Sequence, residues 1–187
     1  MEADREELAQ EIYIRVWTGD STPEEIVEIL SDDEGFSEDD ARWLSAEVAC
    51  IAAEKQTAEH SWPAVTDCDK LDAAFEALNG MGIIALHRAG ADMSDGLHDV
   101  GEEHKRRERG VIGYCFYHDQ DVARAILGQG LMLAFGDMQD NEAKSMEIGR
   151  RIVREIERVG FAVDWSGTKE KRIRVANLRW QRRGTAG

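Results

Sequence analysis

The sequence predicts an α+β fold: an N-terminal helical subdomain, then a mixed β-sheet of about five strands covered by helices and ending in a C-terminal hairpin. Two observations carry this expectation. Through residues 1–62 apolar residues recur at helical spacing, whereas from Ile83 onward short β-branched and aromatic runs bounded by glycine alternate with helical stretches. The boundary is expected at Trp62-Pro63, dividing 1–62 from 63–187, because proline lacks a backbone donor and forces its predecessor out of helix. At 187 residues and 42% apolar composition the chain can bury a sizeable core.

The first helix is expected over 2–17, where Leu8, Ile12 and Val16 form a stripe, and Gly19 ends it. Thr22-Pro23-Glu24-Glu25 is a capping box with proline at the first helical position, so 23–30 is a short second helix. Ser37 caps a third that runs to about Glu59, with acids in its first turn. After the Trp62-Pro63 break, Thr66 caps a fourth, lined by Leu71, Ala74, Phe75 and Leu78 and closed at Asn79-Gly80 in a left-handed conformation.

Strands are expected at 83–87, 111–117, 131–135, 161–165 and 171–180, the last two joined by a hairpin loop at Ser166-Gly167-Thr168. In the last strand, Ile173 and Val175 differ in parity from Leu178 and Trp180, so a bulge near Ala176-Asn177 is needed to keep one buried face. Helices are expected between them at 97–109, 120–127 and 141–159; Ile148, Ile152 and Ile156 line the third.

The formal charge is −15 and unevenly spread. Residues 1–68 hold 19 acidic and 4 basic residues; residues 69–187 hold 19 of each, and within them 141–187 hold 12 basic and 6 acidic. Such an acidic arm repels phosphate backbones and anionic lipid, so neither a nucleic-acid nor a membrane partner is expected. No apolar run approaches the roughly 18–20 residues that span a bilayer. Met1 leads into Glu2-Ala3-Asp4 without an export signal, and Cys50, Cys68 and Cys115 include no C-x-x-C, which fits a reducing compartment; a cytoplasmic location is expected.

Two polar stretches could carry chemistry. In 87–99, His87, Asp92, Asp95 and His98 follow a strand and enter a helix, and His with carboxylate suits a divalent metal. The spacing matches no H-E-x-x-H or calcium-loop pattern, and turn-and-cap accounts for the same residues, with Asp95 capping and Gly96 opening the helix. In 114–121, His118 with Asp119 or Asp121 could make an acid–base pair. A Cys115–His118 nucleophile pair is disfavoured, because alternation puts the two on opposite strand faces. P-loop, G-x-G-x-x-G and G-x-S-x-G patterns are absent, and no cofactor is predicted beyond that metal alternative.

Taken together, Trp62-Pro63-x-x-Thr66-Asp67, Ser94-Asp95-Gly96, Tyr114-Cys115-Phe116-Tyr117-His118-x-Gln120-Asp121 and Trp180-Gln181-Arg182-Arg183 resemble the motifs of an uncharacterised bacterial family, catalogued as a domain of unknown function. The resemblance spans about 60–183 and brings no activity, cofactor or catalytic residue with it. In element order the chain is also similar to small α+β regulators and to the acidic immunity proteins that neutralise bacterial toxins, a likeness of fold and charge alone. The expected function is therefore a non-enzymatic acidic binding protein, an inhibitor, immunity-like or regulatory partner of a basic protein. The alternative is a small enzyme or metal-binding protein with its site between the 87–99 and 114–121 loops, which meet only if their strands are parallel neighbours.

Overall fold

The computed structural model describes residues 2–31, 37–107 and 110–184. The chain divides into two units, one of Met1–Thr66 with Gln181–Gly187 and one of Asp67–Trp180.

The first unit contains α1 (Glu2–Thr18), α2 (Pro23–Ser31) and α3 (Glu38–Glu59). Ile12, Val16, Ile26, Leu44, Val48 and Ile51 form its core, and Leu8 packs at the edge. The expected capping box at Thr22 forms, and the expected cap at Ser37 proves to be a second one. The Glu25 N–H donates to Thr22 Oγ1 (3.2 Å) while the Thr22 N–H donates to the Glu25 carboxylate (2.8 Å). Ser37 and Asp40 do the same at α3.

A basic segment returns to this acidic unit. The Arg183 guanidinium donates to Pro63 O (2.8 Å) and lies 5.9 Å from the Trp62 ring centroid, and the Gly184 N–H donates to Glu59 (3.3 Å). Gly19, at φ 87°, lies beneath it: a Cβ there would stand 2.8 Å from Arg182 O. A side chain at position 19 would thus meet both backbone strain and a backbone collision.

The second unit contains α4 (Asp67–Gly80), β1 (Ile83–Leu86), α5 (Met93–Arg106), β2 (Gly113–Phe116), α6 (Asp119–Ile126), β3 (Leu131–Gly136), α7 (Glu142–Arg158), β4 (Val163–Asp164) and β5 (Ile173–Val175). The sheet order is β1-β2-β3-β5-β4; β1 and β2 are parallel and the other neighbours antiparallel, so the sheet is mixed and ends in the β4–β5 hairpin.

Alternation sorts the side chains onto two faces. Ile83, Ala85, Cys115, Leu133, Phe135 and Ile173 face Leu71 and Phe75 of α4 and Ile152 and Ile156 of α7. Ile84, Phe116 and Ala134 face Val100 of α5. Position 96 must be glycine-sized for that second layer to close, since a Cβ there would be 2.2 Å from Phe116 Cε2.

Four local expectations are corrected. Helix α4 ends at Gly80 as expected, but not in a left-handed conformation there; the positive φ falls at Gly82 (84°). The Asn79 amide instead reaches the outer edge of β1, donating to Ala85 O and accepting from the Ala85 N–H, both at 3.0 Å. Helix α5 begins at Met93 rather than Leu97, and its cap is Asp92, not Asp95; the expected end at Arg109 lies outside the described residues.

The fourth correction concerns the last strands, which are shorter than expected. No bulge forms near Ala176-Asn177; the chain turns there, with the Ala176 N–H donating to Ala162 O (2.9 Å) and the Asn177 side chain accepting from the Ala162 N–H (2.7 Å). Leaving the strand lets Leu178 and Trp180 reach the same core as Ile173 and Val175 despite the parity change.

Candidate functional site

The parallel pairing of β1 and β2 brings the segments after both strands to one end of the sheet. Two backbone bonds join them: the Ala89 N–H donates to Tyr117 O (2.8 Å) and the Asp119 N–H to Gly90 O (3.1 Å). Arg88 takes φ 47°, a left-handed conformation costing a bulky residue about 1–2 kcal/mol. Its guanidinium donates to Asp119 (2.8 Å) across the two segments.

His87 continues the alternation of Ile83 and Ala85. Its ring stacks on Phe75 (centroids 4.4 Å apart), Nδ1 is 2.9 Å from the Tyr117 hydroxyl, and Nε2 is 3.6 Å from the Asp72 carboxylate. At that last distance Asp72 acts by charge, not by a hydrogen bond. Tyr117 is fully buried, with Trp180 edge-on at 6.1 Å, whereas the side chains of His87 and Asp72 are 37% and 41% exposed. A solvent-accessible imidazole joined to a buried phenol and faced by a carboxylate can accept or deliver a proton.

His118 belongs to a separate cluster. Its Nε2 lies 3.2 Å from the wholly buried Asp121 carboxylate, which also accepts from the Arg172 guanidinium; Arg172 donates further to Met132 O (2.7 Å). Burial pushes the His118 imidazole below its ordinary range; Asp121 opposes this and Arg172 reinforces it. His118 Nδ1, Asp121 Oδ1 and Arg172 Nε are buried without a hydrogen-bond partner. The expected acid–base residues are thus divided, Asp121 beside His118 in a buried charge cluster and Asp119 beside Arg88 at the surface.

The four residues expected for a metal are also divided. Asp92 Oδ1 accepts from the Ser94 and Asp95 N–H groups (2.8 and 3.2 Å), and Asp95 Oδ2 accepts from the Ala91 N–H (3.2 Å). His87 and His98 line one cleft of about 270 Å³, with Arg88, Asp99 and Glu102. Among the described residues no three His, Cys, Asp or Glu side chains converge as a metal-holding group. Cys115 is fully buried and its thiol is pushed up by that burial, which makes it a packing residue.

Sequence reasoning missed Asp72, Phe75 and Arg172. Asp72 and Phe75 sit one turn apart on α4, and only the packing of α4 over β1 puts them beside His87. No local signal ties Arg172 to Asp121, 51 positions earlier.

Fold and site define an α+β protein with a mixed five-stranded sheet and a two-histidine polar end where two parallel strands finish. The chain belongs to a family described as a domain of unknown function (DUF6891), which it matches over residues 1–184. No curated protein and no solved structure matches it.

Proposed function

We propose that the protein is an acidic binding protein whose first unit captures a basic protein partner, as an inhibitor or regulator would. The observation that carries this reading is the separation of charge: the first unit holds 18 acidic and 6 basic residues, the second 20 and 17. Arg5, Arg15, Arg42 and Lys55 already pair with Asp40, Glu11, Asp39 and Glu59. Glu7, Glu24, Glu28, Glu47 and Glu54 add further negative charge, all but the half-buried Glu47 well exposed. A one-sign surface of this kind steers a basic partner and makes its on-rate salt-dependent.

The test begins with native mass spectrometry of untagged protein purified at low ionic strength from its own host. A stoichiometric basic polypeptide is expected, and its on-rate should fall at least about tenfold between 20 and 300 mM salt. A partner that is not basic, or a flat salt dependence, would sink the reading.

A second reading rests on the His87–Tyr117 contact: proton transfer at the polar end, on a small substrate entering beside His87 and His98. Turnover in a panel of ester, phosphoester and glycoside substrates, abolished in His87→Ala with the fold intact, would support it; no turnover by the natural chain would count against it.

A further inference from the structure

At the other end of the same sheet, where β2 begins and β3 finishes, lies a cleft of about 460 Å³, within the size range of small-ligand sites. Val111, Ile112, Met138 and Ile148 supply its apolar wall. Its rim carries His104 from α5 and Lys144 and Arg151 from α7; Ile148 falls between the latter two, four and three residues away, so all three share one helix face.

The carboxylates nearby are already engaged. Asp137 is buried and accepts from the Gln139 and Asn141 N–H groups (3.0 and 3.1 Å), and Glu147 pairs with Arg151. Lys144 forms no salt bridge among the described residues; of the two acidic residues lining the cleft, Asp137 feels its charge and Glu147 is held by Arg151. Lys144 also occupies the first turn of α7, where the helix dipole works against a cation. The α7 amide of Lys144 is capped by Asn141 (3.0 Å), so contact with a ligand falls to the side chains. In a chain of net charge −15, this rim is locally balanced, and its two basic side chains stand over apolar residues where an anion could meet them.

We propose that this cleft binds a small amphipathic anion, its carboxylate or phosphate on Lys144 and Arg151 and its apolar body on Ile112, Met138 and Ile148. The proposal is independent of both functional readings above, since none of its residues lies in the first unit or at the His87 end.

Octanoate and phenyl phosphate serve as probes, titrated into the full chain by calorimetry and by amide NMR. Saturable binding is expected for at least one, with shifts centred on residues 111–112, 137–139 and 144–151. The Lys144→Ala, Arg151→Ala double variant should weaken it at least tenfold, and both positions are accessible enough for the fold to survive, as circular dichroism will report. Preference for octanoate points to a carboxylate ligand, preference for phenyl phosphate to a phosphate monoester. No saturation by either below about 10 mM, shifts centred elsewhere, equal binding in the double variant, or equal binding of inorganic phosphate would each overturn the proposal.

Discussion

Arg172 neutralises Asp121 from 51 residues away, and in doing so ties the N-terminal turn of α6 to β3 through Met132 O. Asp121 has no exposure, so the pair stands or falls together. Arg172→Ala would leave a buried carboxylate uncompensated and is expected to cost about 3 kcal/mol or more, read from urea denaturation. Replacing both with Asp121→Leu and Arg172→Met should cost much less. A single variant as stable as the natural chain would show that the charge is met by other groups.

His118 makes stability depend on pH in a defined direction. Its folded-state pKa lies below the unfolded value of about 6.5, with burial the main cause, Asp121 opposing, Arg172 reinforcing, and Asp92 and Arg124 contributing with opposite signs. Below about pH 6.5 the unfolded chain therefore binds a proton that the folded chain refuses, and stability falls as pH falls. The His118→Asn variant should flatten the urea-midpoint profile below about pH 6.5; an unchanged slope would assign the effect to another histidine. Losses from Asp67 and Asp137 come later, below about pH 4: burial opposes their low values, but hydrogen bonds from Lys70 and Arg179, and from the Asn141 and Gln139 amides, outweigh it.

Gly96→Ala sets helix propensity against packing. Alanine gains about 1 kcal/mol in a helix interior, while overpacking costs about 1–3 kcal/mol. With Phe116 Cε2 only 2.2 Å from the added Cβ, a net loss is expected. In a Phe116→Leu background the same substitution should become neutral or stabilising, and a double-mutant cycle reads the coupling.

Asn79→Ala removes the side chain that closes both Ala85 backbone groups, and with it the acceptor for Arg107 (2.8 Å). The expected cost is about 1–3 kcal/mol in thermal or urea unfolding. Because β1 is an edge strand, the variant should also self-associate in sedimentation runs at high concentration. A stable, monomeric variant would show that water serves that edge equally well.

Short-range signals were the legible part of this sequence. The Thr22–Glu25 box, the Ser37 cap and the Leu8, Ile12, Val16 stripe each involve residues at most four apart, and the alternation of Tyr114 to Tyr117 sorted two sheet faces correctly. Long-range choices were not legible. Asn79 has the composition of a helix terminator and serves as an edge partner for a strand six residues on. Asp92 and Asp95 are equally good caps on composition; which one acts depends on where α5 meets β2. The polar end was foreseen as two loops that meet if their strands are parallel, but its partition into the His87 and His118 clusters depends on α4 and β5, which approach from opposite ends of the second unit's sequence.

The return of residues 181–184 to the first unit sets an order of assembly during synthesis. The ribosome finishes α1, α2 and α3 long before Arg182 exists to lie over Gly19, or Arg183 to reach Pro63. The second unit is contiguous from Asp67 to Trp180 and has all its parts once Trp180 emerges. The acidic helices must therefore wait with their closing clasp missing, and a chain cut short after Trp180 would carry a finished sheet and an unfinished helical unit.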